Sequence, residues 1–231
     1  MQITIITLFP QVFEQVFSVS ILKRAQEENK LKIKLLNLRD FGIGKHKVVD
    51  DRPYGGGAGM VLRVDVLDHA IQSARQKHGK EVAILLDPKG EPYHQKRAEF
   101  FSKFDHIILV CGHYEGVDER VRSLVDYEIS IGDYILSGGE IAAMVMIDTI
   151  ARLIPGVLKK AEATSFESFT KIDNLRILEY PHYTRPPKYK NRAVPKELLS
   201  GNFKKIEEYR IKKAQEITKK RRPDILRKIK N

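Results

Sequence analysis

Short apolar runs alternate with helical patterns along the first two thirds of the chain, and no other feature restricts the fold as strongly. The runs are rich in Ile, Leu and Val and cover residues 3–7, 33–37, 82–86, 107–111 and 127–131. Strands that are buried on both faces have this short, nearly continuous apolar character. Between the runs, helical patterns cover residues 11–28, 64–77, 95–103 and 117–125. This alternation predicts an α/β domain with a mostly parallel sheet.

A further helix is predicted for residues 140–153, because two glycines precede it and a Pro-Gly pair follows it. The pattern then changes, since residues 161–202 contain four prolines and show little periodicity. Helical spacing returns at Phe203. The sequence therefore predicts three parts, which are an α/β domain of residues 1–160, an interdomain linker of residues 161–202, and a small basic helical domain of residues 203–231.

The positive charge of the chain is concentrated near its C-terminus. The formal net charge is +11, yet residues 185–231 alone contain 17 Lys and Arg against 5 Asp and Glu. Residues 1–184 contain 24 basic and 25 acidic residues and are close to neutral. This asymmetry favours a polyanionic partner. On charge alone, a tail that only improves solubility and a tail that binds an anionic membrane surface are the alternatives.

Several function classes are excluded by what the sequence lacks. Cys111 is the only cysteine, so no disulfide framework or cysteine-based zinc site can form, and a reducing, cytoplasmic setting is expected. The N-terminus has no secretory signal pattern, and the longest apolar run, residues 141–154, includes two charged residues, so we expect no membrane segment. P-loop, Rossmann, nucleophile-elbow and metal-site motifs are absent. We interpret Cys111 as a core residue rather than a nucleophile.

Glycine is clustered where the predicted strands end, in residues 50–60, 85–90, 111–120 and 130–140. Ligands of open α/β sheets bind at the carboxyl ends of strands, and glycine suits such sites because a Cβ would occupy ligand space. Apolar residues and three glycines share the last segment, which suits a pocket for an adenine ring. Each segment alone could be an ordinary turn, and Asp118 is expected to cap the helix after it. Together the four segments predict a small-ligand site.

Five longer motifs follow one another along the chain: KHKVVDDRPYGGGAGM, LVCGHYEGVDER, SIGDYILSGGE, ARLIPGV and PHYTRP. Their combination resembles the bacterial tRNA (guanine-N1)-methyltransferase family, from the N-terminal ITLFP to the basic C-terminus. The resemblance implies a SPOUT fold, in which a trefoil-knotted cofactor site ends the α/β domain. It also implies methyl transfer from S-adenosylmethionine to N1 of guanine 37, immediately 3′ of the tRNA anticodon. The products would be 1-methylguanosine and S-adenosylhomocysteine.

The resemblance assigns binding residues by motif. Those for the cofactor are Leu85, Leu86, Gly112, Ser130, Ile131, Gly132, Asp133, Tyr134, Ile135, Leu136, Gly138 and Gly139, and those for the substrate are Tyr114, Glu115 and Gly59. Arg152, in ARLIPGV, matches the family's active-site arginine. Without the resemblance, Arg152 would be interpreted as an arginine that interacts with the dipole at a helix C-terminus. The family is Mg²⁺-dependent, but we assign no residue to a metal.

The candidate general base departs from the family pattern. The family usually has an aspartate before Ser-Phe or Ser-His in the linker, where this sequence has Glu167 before Ser168 and Phe169. Asp173, in a stretch that is longer than expected, is the competing candidate. A carboxylate is needed because guanine N1 carries a proton and is a poor nucleophile until a base removes it. Arg152 would stabilise the negative charge that develops toward O6.

The resemblance further implies a homodimer, in which the active site takes its cofactor loops from one chain and the linker carboxylate from the other. The C-terminal domain would hold the tRNA anticodon arm by phosphate contacts, with the candidates Lys188, Lys190, Arg192, Lys204, Lys205 and Lys212. Two rival functions remain open. One is a related SPOUT enzyme that methylates a ribose hydroxyl or ribosomal RNA, and the other is a non-catalytic RNA-binding protein.

Overall fold

The computed structural model describes residues 1–76, 79–159, 166–172 and 175–226. The chain divides into two compact units, Met1–Lys159 and Lys160–Asn231. The strands are β1 (Gln2–Thr7), β2 (Lys32–Asn37), β3 (Asp50–Asp51), β4 (Val61–Leu62), β5 (Glu81–Pro92), β6 (His106–Cys111), β7 (Tyr127–Ser130), β8 (Thr170–Ile172), β9 (Leu175–Ile177), β10 (Lys188–Tyr189) and β11 (Arg192–Ala193). The α-helices are α1 (Glu14–Phe17), α2 (Ser20–Glu27), α3 (Val64–Ala74), α4 (Gln95–Phe101), α5 (Glu140–Ala151), α6 (Lys196–Leu199) and α7 (Phe203–Arg221).

The first unit is built on a parallel sheet of five strands in the order β2-β1-β6-β5-β7. Each neighbouring pair is parallel, and β5 has an irregular register against β7 between Leu86 and Glu91. The predicted α/β class and parallel sheet are confirmed, and each of the five predicted runs falls on one of these strands. Because all five strands run the same way, their carboxyl ends share one edge, where the glycine segments of residues 111–120 and 130–140 begin.

Both faces of the sheet are covered. Ile3 and Ile5 of β1 belong to a buried cluster with residues of α2, α4 and α5, whereas Ile6 belongs to a second cluster with residues of α3. Alternation along a strand places successive side chains on opposite faces, so apolar residues at consecutive positions fill both layers. This double burial explains why the strands appear in the sequence as continuous apolar runs.

The predicted continuous helix of residues 11–28 is wrong. The segment is divided into a 3₁₀ turn at Pro10–Phe13, α1 and α2, because Val19 is extended and Ser20 has a φ of 53°. The Phe13 and Phe17 rings stack 5.3 Å apart in the core, and the Gln26 side chain donates to the Phe17 carbonyl across the break. The bend lets both halves of the segment bury apolar residues against the same face of the sheet.

The predicted helix of residues 117–125 forms a 3₁₀ helix at Glu119–Leu124 instead. Asp118 caps it as expected, by accepting a hydrogen bond from the Arg120 backbone N–H at 2.9 Å. The chain must enter β7 only three residues after Leu124, which favours a short, tight connection. The other predicted helices, at residues 64–77, 95–103 and 140–153, correspond to α3, α4 and α5.

The second unit contains strand pairs and helices where an irregular linker was expected up to residue 202. The pairs β8–β9 and β10–β11 are antiparallel. Next to β9, the Leu178 N–H donates to Thr218 Oγ1 of α7 at 2.9 Å, and Ile177, Ala214 and Thr218 are buried. Helix α7 begins at Phe203, as its sequence predicts, after Asn202 as the N-cap. Within the described residues, no helix is long and apolar enough to cross a bilayer.

Candidate functional site

A cleft opens at the carboxyl ends of β6 and β7 and beside the irregular stretch of β5 that follows Leu86, and we name it the strand-end cleft. Its volume is about 260 Å³. It is lined by residues 86–89, 112–116, 129–132 and 134–139 and by Ala142. Three of the four glycine segments therefore meet in one place. This is the edge at which ligands of open α/β sheets bind.

The cleft contains most of the residues that the sequence assigns to ligands. From the cofactor set it brings together Leu86, Gly112, Ser130, Ile131, Gly132, Tyr134, Ile135, Leu136, Gly138 and Gly139, and from the substrate set Tyr114 and Glu115. Leu85 is completely buried in the adjacent core, and Asp133 is not among the lining residues. The roles of these residues remain predictions.

The loop between β7 and α5 is fixed against the end of β6. The Gly139 N–H donates to the Gly112 carbonyl at 2.8 Å, and His113 and Gly138 form an antiparallel bridge. A Cβ on Gly139 would lie 2.7 Å from Cys111 Cα and 3.0 Å from the Gly112 nitrogen. We expected a Cβ at such glycines to occupy ligand space. At Gly139 it would instead collide with the backbone of β6, so this glycine permits a close approach of two chain segments.

The remaining glycine segment reaches the cleft through Glu115. The Glu115 N–H donates to the Met60 carbonyl at 3.1 Å, and a Cβ on Gly59 would collide with the Glu115 side chain. Gly59 also has a φ of 84°, in the left-handed region that favours glycine. The structure thus places Gly59 against a residue that lines the cleft.

Aromatic and imidazole groups form one wall of the cleft. Tyr114 has a φ of 59° and is 45% exposed. The His113 ring lies 4.6 Å from that of Tyr114 and 5.0 Å from that of Phe9. A non-glycine residue in the left-handed region is uncommon and tends to occur at functional sites. The exposed Tyr114 ring offers a surface for a planar ligand.

Among the lining residues that the sequence did not assign to a ligand, three have titratable side chains, namely Asp87, Lys89 and His113. Asp87 and Lys89 lie where the register of β5 shifts, and His113 follows the end of β6. All three are in glycine segments of the sequence, and that position is the signal that could have found them. Asp87 is 9% exposed at its side chain, and its Oδ2 lies 3.6 Å from the guanidinium of Arg122, which also pairs with Glu119 and Glu128. Arg122 therefore anchors the irregular stretch of β5 after Leu86.

A buried carboxylate and a buried thiol lie in the core next to the cleft. Glu140, at the start of α5, is 7% exposed and accepts a hydrogen bond from Thr7 Oγ1 at 2.7 Å. Cys111 is 1% exposed at the end of β6. Burial, with a smaller contribution from the Glu140 carboxylate, raises the pKa of the Cys111 thiol well above its usual value. The thiol is thus kept protonated and is unsuited to act as a nucleophile.

Cys111 should consequently resist alkylation in the folded protein. We expect iodoacetamide to label it more slowly than in the urea-unfolded chain, by about 100-fold or more, because labelling needs both exposure and a thiolate. Mass spectrometry of timed samples measures both rates, and no other cysteine contributes. Equal rates in the folded and unfolded states would contradict the burial of this strand end.

Comparison with known proteins decides the family. The model of the family described as tRNA (Guanine-1)-methyltransferase TrmD matches residues 1–228. The chain belongs to this family. A tRNA (guanine-N(1)-)-methyltransferase of Desulfitobacterium hafniense is 48% identical over 229 residues, which cover 99% of this chain and 86% of that protein. The protein of the same name from Dictyoglomus turgidum is 50% identical over 228 residues, which cover 99% of this chain and 91% of that protein. The one from Mycoplasmopsis synoviae is 48% identical over 231 residues, which cover 100% of this chain and 99% of that protein.

In this member of the tRNA (guanine-1)-methyltransferase family, Arg152 is not brought to the strand-end cleft of its own chain. Gly139 precedes α5 at the cleft, whereas Arg152 is the residue that caps the other end of α5. The twelve residues of α5 span about 18 Å at 1.5 Å per residue. An arginine side chain is much shorter than this separation. Arg152 also lies where the dipole of α5 favours a cation, as the alternative interpretation expected.

Glu167 lies in the second unit of this tRNA (guanine-1)-methyltransferase family member. It follows Phe166 in a turn in which the Thr170 N–H donates to the Glu167 carbonyl at 3.1 Å. Phe166 and Glu167 line a cavity of about 190 Å³ together with Ile177 of β9 and Arg210 of α7. The competing base, Asp173, is outside the described residues. Within those residues, no group of three or more His, Cys, Asp or Glu side chains could hold a metal ion.

Proposed function

We propose that this protein transfers the methyl group of S-adenosylmethionine to N1 of guanine 37 of tRNA. Because the chain belongs to the tRNA (guanine-1)-methyltransferase family, its activity is the methylation of tRNA guanine at N1. The observation that carries the proposal is the strand-end cleft, because ten of the twelve residues that the motifs assign to the cofactor converge there. Because tRNA is the substrate, we infer that the enzyme acts in the cytoplasm.

The side chains of the cleft fit S-adenosylmethionine. Leu86, Ile129 and Leu136 offer apolar contacts for an adenine ring, and neighbouring glycine backbone offers hydrogen-bond donors and acceptors at close range. Asp87 and Glu115 offer carboxylates that would interact favourably with the cationic sulfonium and ammonium groups. We infer that the loops around this cleft form the trefoil knot of SPOUT enzymes, a proposal that rests on the motifs.

When bound, S-adenosylmethionine supplies an electrophilic methyl group that is attached to a good leaving group. Glu167 accepts the N1 proton of guanine as the bond from N1 to the methyl carbon forms. Arg152 donates hydrogen bonds to O6, where negative charge develops as that proton leaves. The bond from sulfur to the methyl carbon breaks, and S-adenosylhomocysteine is released. The described side chains include no group of three or more His, Cys, Asp or Glu that could hold a metal ion, and we assign no residue to Mg²⁺.

An active site shared by two chains explains the position of Arg152. One chain provides the strand-end cleft, while the second provides Arg152 and the carboxylate of Glu167. Exposed apolar side chains on α5 support pairing, since Ile141 and Val145 are 56% and 39% exposed on a helix whose opposite face is part of the core. Apolar surface of this kind favours burial against another protein surface. We therefore propose a homodimer.

Substitution Arg152→Ala should lower kcat by about 10²–10³-fold with unchanged affinity for S-adenosylmethionine, because it removes a donor to O6 of the guanine and no contact to the cofactor. Glu115→Ala should also lower activity, because it removes a residue of the strand-end cleft that is assigned to the substrate. Mixing the two variants after unfolding and refolding them together should restore about a quarter of the wild-type rate, since half of random dimers are mixed and each has one intact site. No recovery on mixing would contradict a shared active site.

The exposed cations of α7 should bind tRNA phosphates. Lys204, Lys205 and Lys212 are all exposed. Their combined substitution by glutamine should weaken tRNA binding and reduce the slope of log affinity against log salt by about 0.7–0.9 for each phosphate that is no longer neutralised. Substitution of the three lysines is preferable to deletion of α7, because deletion would also expose the residues of β9 that pack against this helix. Filter binding from low to high salt measures the slope, and an unchanged slope would reject this role for the three lysines.

Labelled methyl transfer tests the proposed function. The enzyme is incubated with methyl-labelled S-adenosylmethionine and a tRNA transcript that has guanine 3′ of the anticodon, or a matched transcript with adenine there. We expect incorporation only into the first transcript. Calorimetric titration with S-adenosylmethionine distinguishes a non-catalytic RNA-binding protein, which would need no cofactor. Equal labelling of both transcripts would overturn the assignment to guanine 37.

A further inference from the structure

A small basic hairpin projects from the second unit. β10 and β11 pair with Lys188 opposite Ala193 and Tyr189 opposite Arg192, and Lys190 and Asn191 form the turn. The Val194 N–H donates to the Pro187 carbonyl at 2.9 Å and closes the base of the hairpin. Directly opposed residues of an antiparallel pair lie on the same face. Tyr189 and Arg192 therefore share one face of this hairpin.

The Tyr189 ring is presented to solvent rather than to the core. It is 63% exposed, and the Lys190 ammonium lies 5.5 Å from its ring centroid. Tyr180, by contrast, has the Arg210 guanidinium at 4.8 Å and the His182 ring at 4.9 Å. Among the described residues, Lys190 is the one ring or cation neighbour of Tyr189. One face of this aromatic ring is therefore open.

The charge of the hairpin is positive and uncompensated. Residues 185–193 contain four Lys and Arg and no Asp or Glu. In the part of the chain that the structure describes, Lys188, Lys190 and Arg192 form no ion pair with a carboxylate. Two other cations of the second unit are paired, Lys213 with Glu216 at 2.6 Å and Arg222 with Asp224 at 2.7 Å. The cations of the hairpin can therefore bind an anion from outside the chain.

We propose that this hairpin is a binding subsite for an unpaired nucleotide of RNA, with the base stacked on the open face of Tyr189. Lys190 and Arg192 contact the flanking phosphates. An aromatic ring beside cations is the combination that binds single-stranded nucleic acid, because every base has a stacking face and every linkage a negative charge. Bases within an RNA duplex are already stacked, so this subsite selects loops over helices. That the RNA is tRNA rests on the proposed function.

The absence of tryptophan from the chain gives a direct probe. In the Tyr189→Trp variant the introduced indole is the sole tryptophan. Its fluorescence should be quenched by a single-stranded RNA oligonucleotide and by a tRNA transcript. An RNA duplex of equal charge should quench it much less. Equal quenching by the duplex, or no response to any RNA, would overturn the proposal. A response to anionic phosphatidylserine vesicles that exceeds the response to RNA would also overturn it, in favour of a membrane surface.

Affinity measurements separate stacking from charge. Tyr189→Ala should weaken binding of the single-stranded oligonucleotide about tenfold or more with an unchanged salt slope, whereas Tyr189→Phe retains the ring and should bind normally. Lys190→Met should reduce the slope of log affinity against log salt by about 0.7.

In methyl transfer, Tyr189→Ala should raise KM for tRNA and leave kcat unchanged. Oligonucleotide affinity within twofold of wild type for Tyr189→Ala would refute the subsite. RNA-induced quenching without methyl transfer by the wild-type protein would instead refute the proposed function.

Discussion

The Gly139→Val substitution should reduce the affinity for S-adenosylmethionine by about 100-fold or more. A Cβ at this position would lie 2.7 Å from Cys111 Cα, and backbone cannot move aside as the end of a side chain can. The loop between β7 and α5 must therefore separate from β6, which breaks the hydrogen bond from Gly139 to Gly112. Overpacking of this kind typically costs about 1–3 kcal/mol or more. Because both segments line the strand-end cleft, the cleft should lose its shape.

Gly112→Ala provides the matched control. A Cβ on Gly112 would lie 3.5 Å from the Leu86 carbonyl oxygen, which is ordinary van der Waals contact. We expect this variant to fold normally and to lose less affinity than Gly139→Val. Calorimetry with S-adenosylmethionine gives both affinities, and thermal melting gives both stabilities. A folded Gly139→Val protein with wild-type affinity would contradict the placement of the cofactor in this cleft.

Glu167→Gln should abolish turnover while S-adenosylmethionine still binds. The amide keeps the size of the side chain but cannot accept the N1 proton, and removal of a general base typically costs about 10²–10⁴-fold in rate. Glutamate has one methylene more than the family's aspartate, so its carboxylate needs a different rotamer to reach N1. Glu167 precedes Ser168 and Phe169 as that aspartate precedes its Ser-Phe, and this motif position is the basis of the prediction.

Asp173→Asn is the control for the Glu167 prediction. Single-turnover rates on a tRNA transcript are compared for the two variants, with calorimetry to show that each binds the cofactor. We expect a near-normal rate for Asp173→Asn. A large loss in this variant, with a near-normal rate for Glu167→Gln, would assign the base to Asp173 instead.

The strands were predictable because burial on both faces makes each one a continuous apolar run, as in Ile107–Cys111 of β6. The break at Val19 and Ser20 was not predictable from the sequence, because the helical pattern continues on both sides of it. The bend depends instead on the packing of Phe17 against the sheet. Similarly, the antiparallel pair of β8 and β9 has little periodicity, and its position depends on a contact between Leu178 and Thr218, which are 40 residues apart.

The candidate site was predictable in part, for a related reason. Glycines at strand ends indicate a ligand edge, and parallel strands bring such ends together, so the segments around Gly112 and Gly138 could be expected to meet. The sequence did not reveal that the Cβ position of Gly139 is filled by backbone, which depends on the path of the loop. Nor did the motif around Arg152 show that α5 separates it from the cleft of its own chain.

Nucleoside analysis of a methylated tRNA tests the central claim most directly. A tRNA transcript is incubated with the enzyme and methyl-labelled S-adenosylmethionine, digested to nucleosides, and examined by mass spectrometry, with digestion to oligonucleotides to locate the label. The proposed function predicts labelled 1-methylguanosine, located at the guanine 3′ of the anticodon. A label on a ribose hydroxyl or on another base, or tRNA that carries no label, would contradict it.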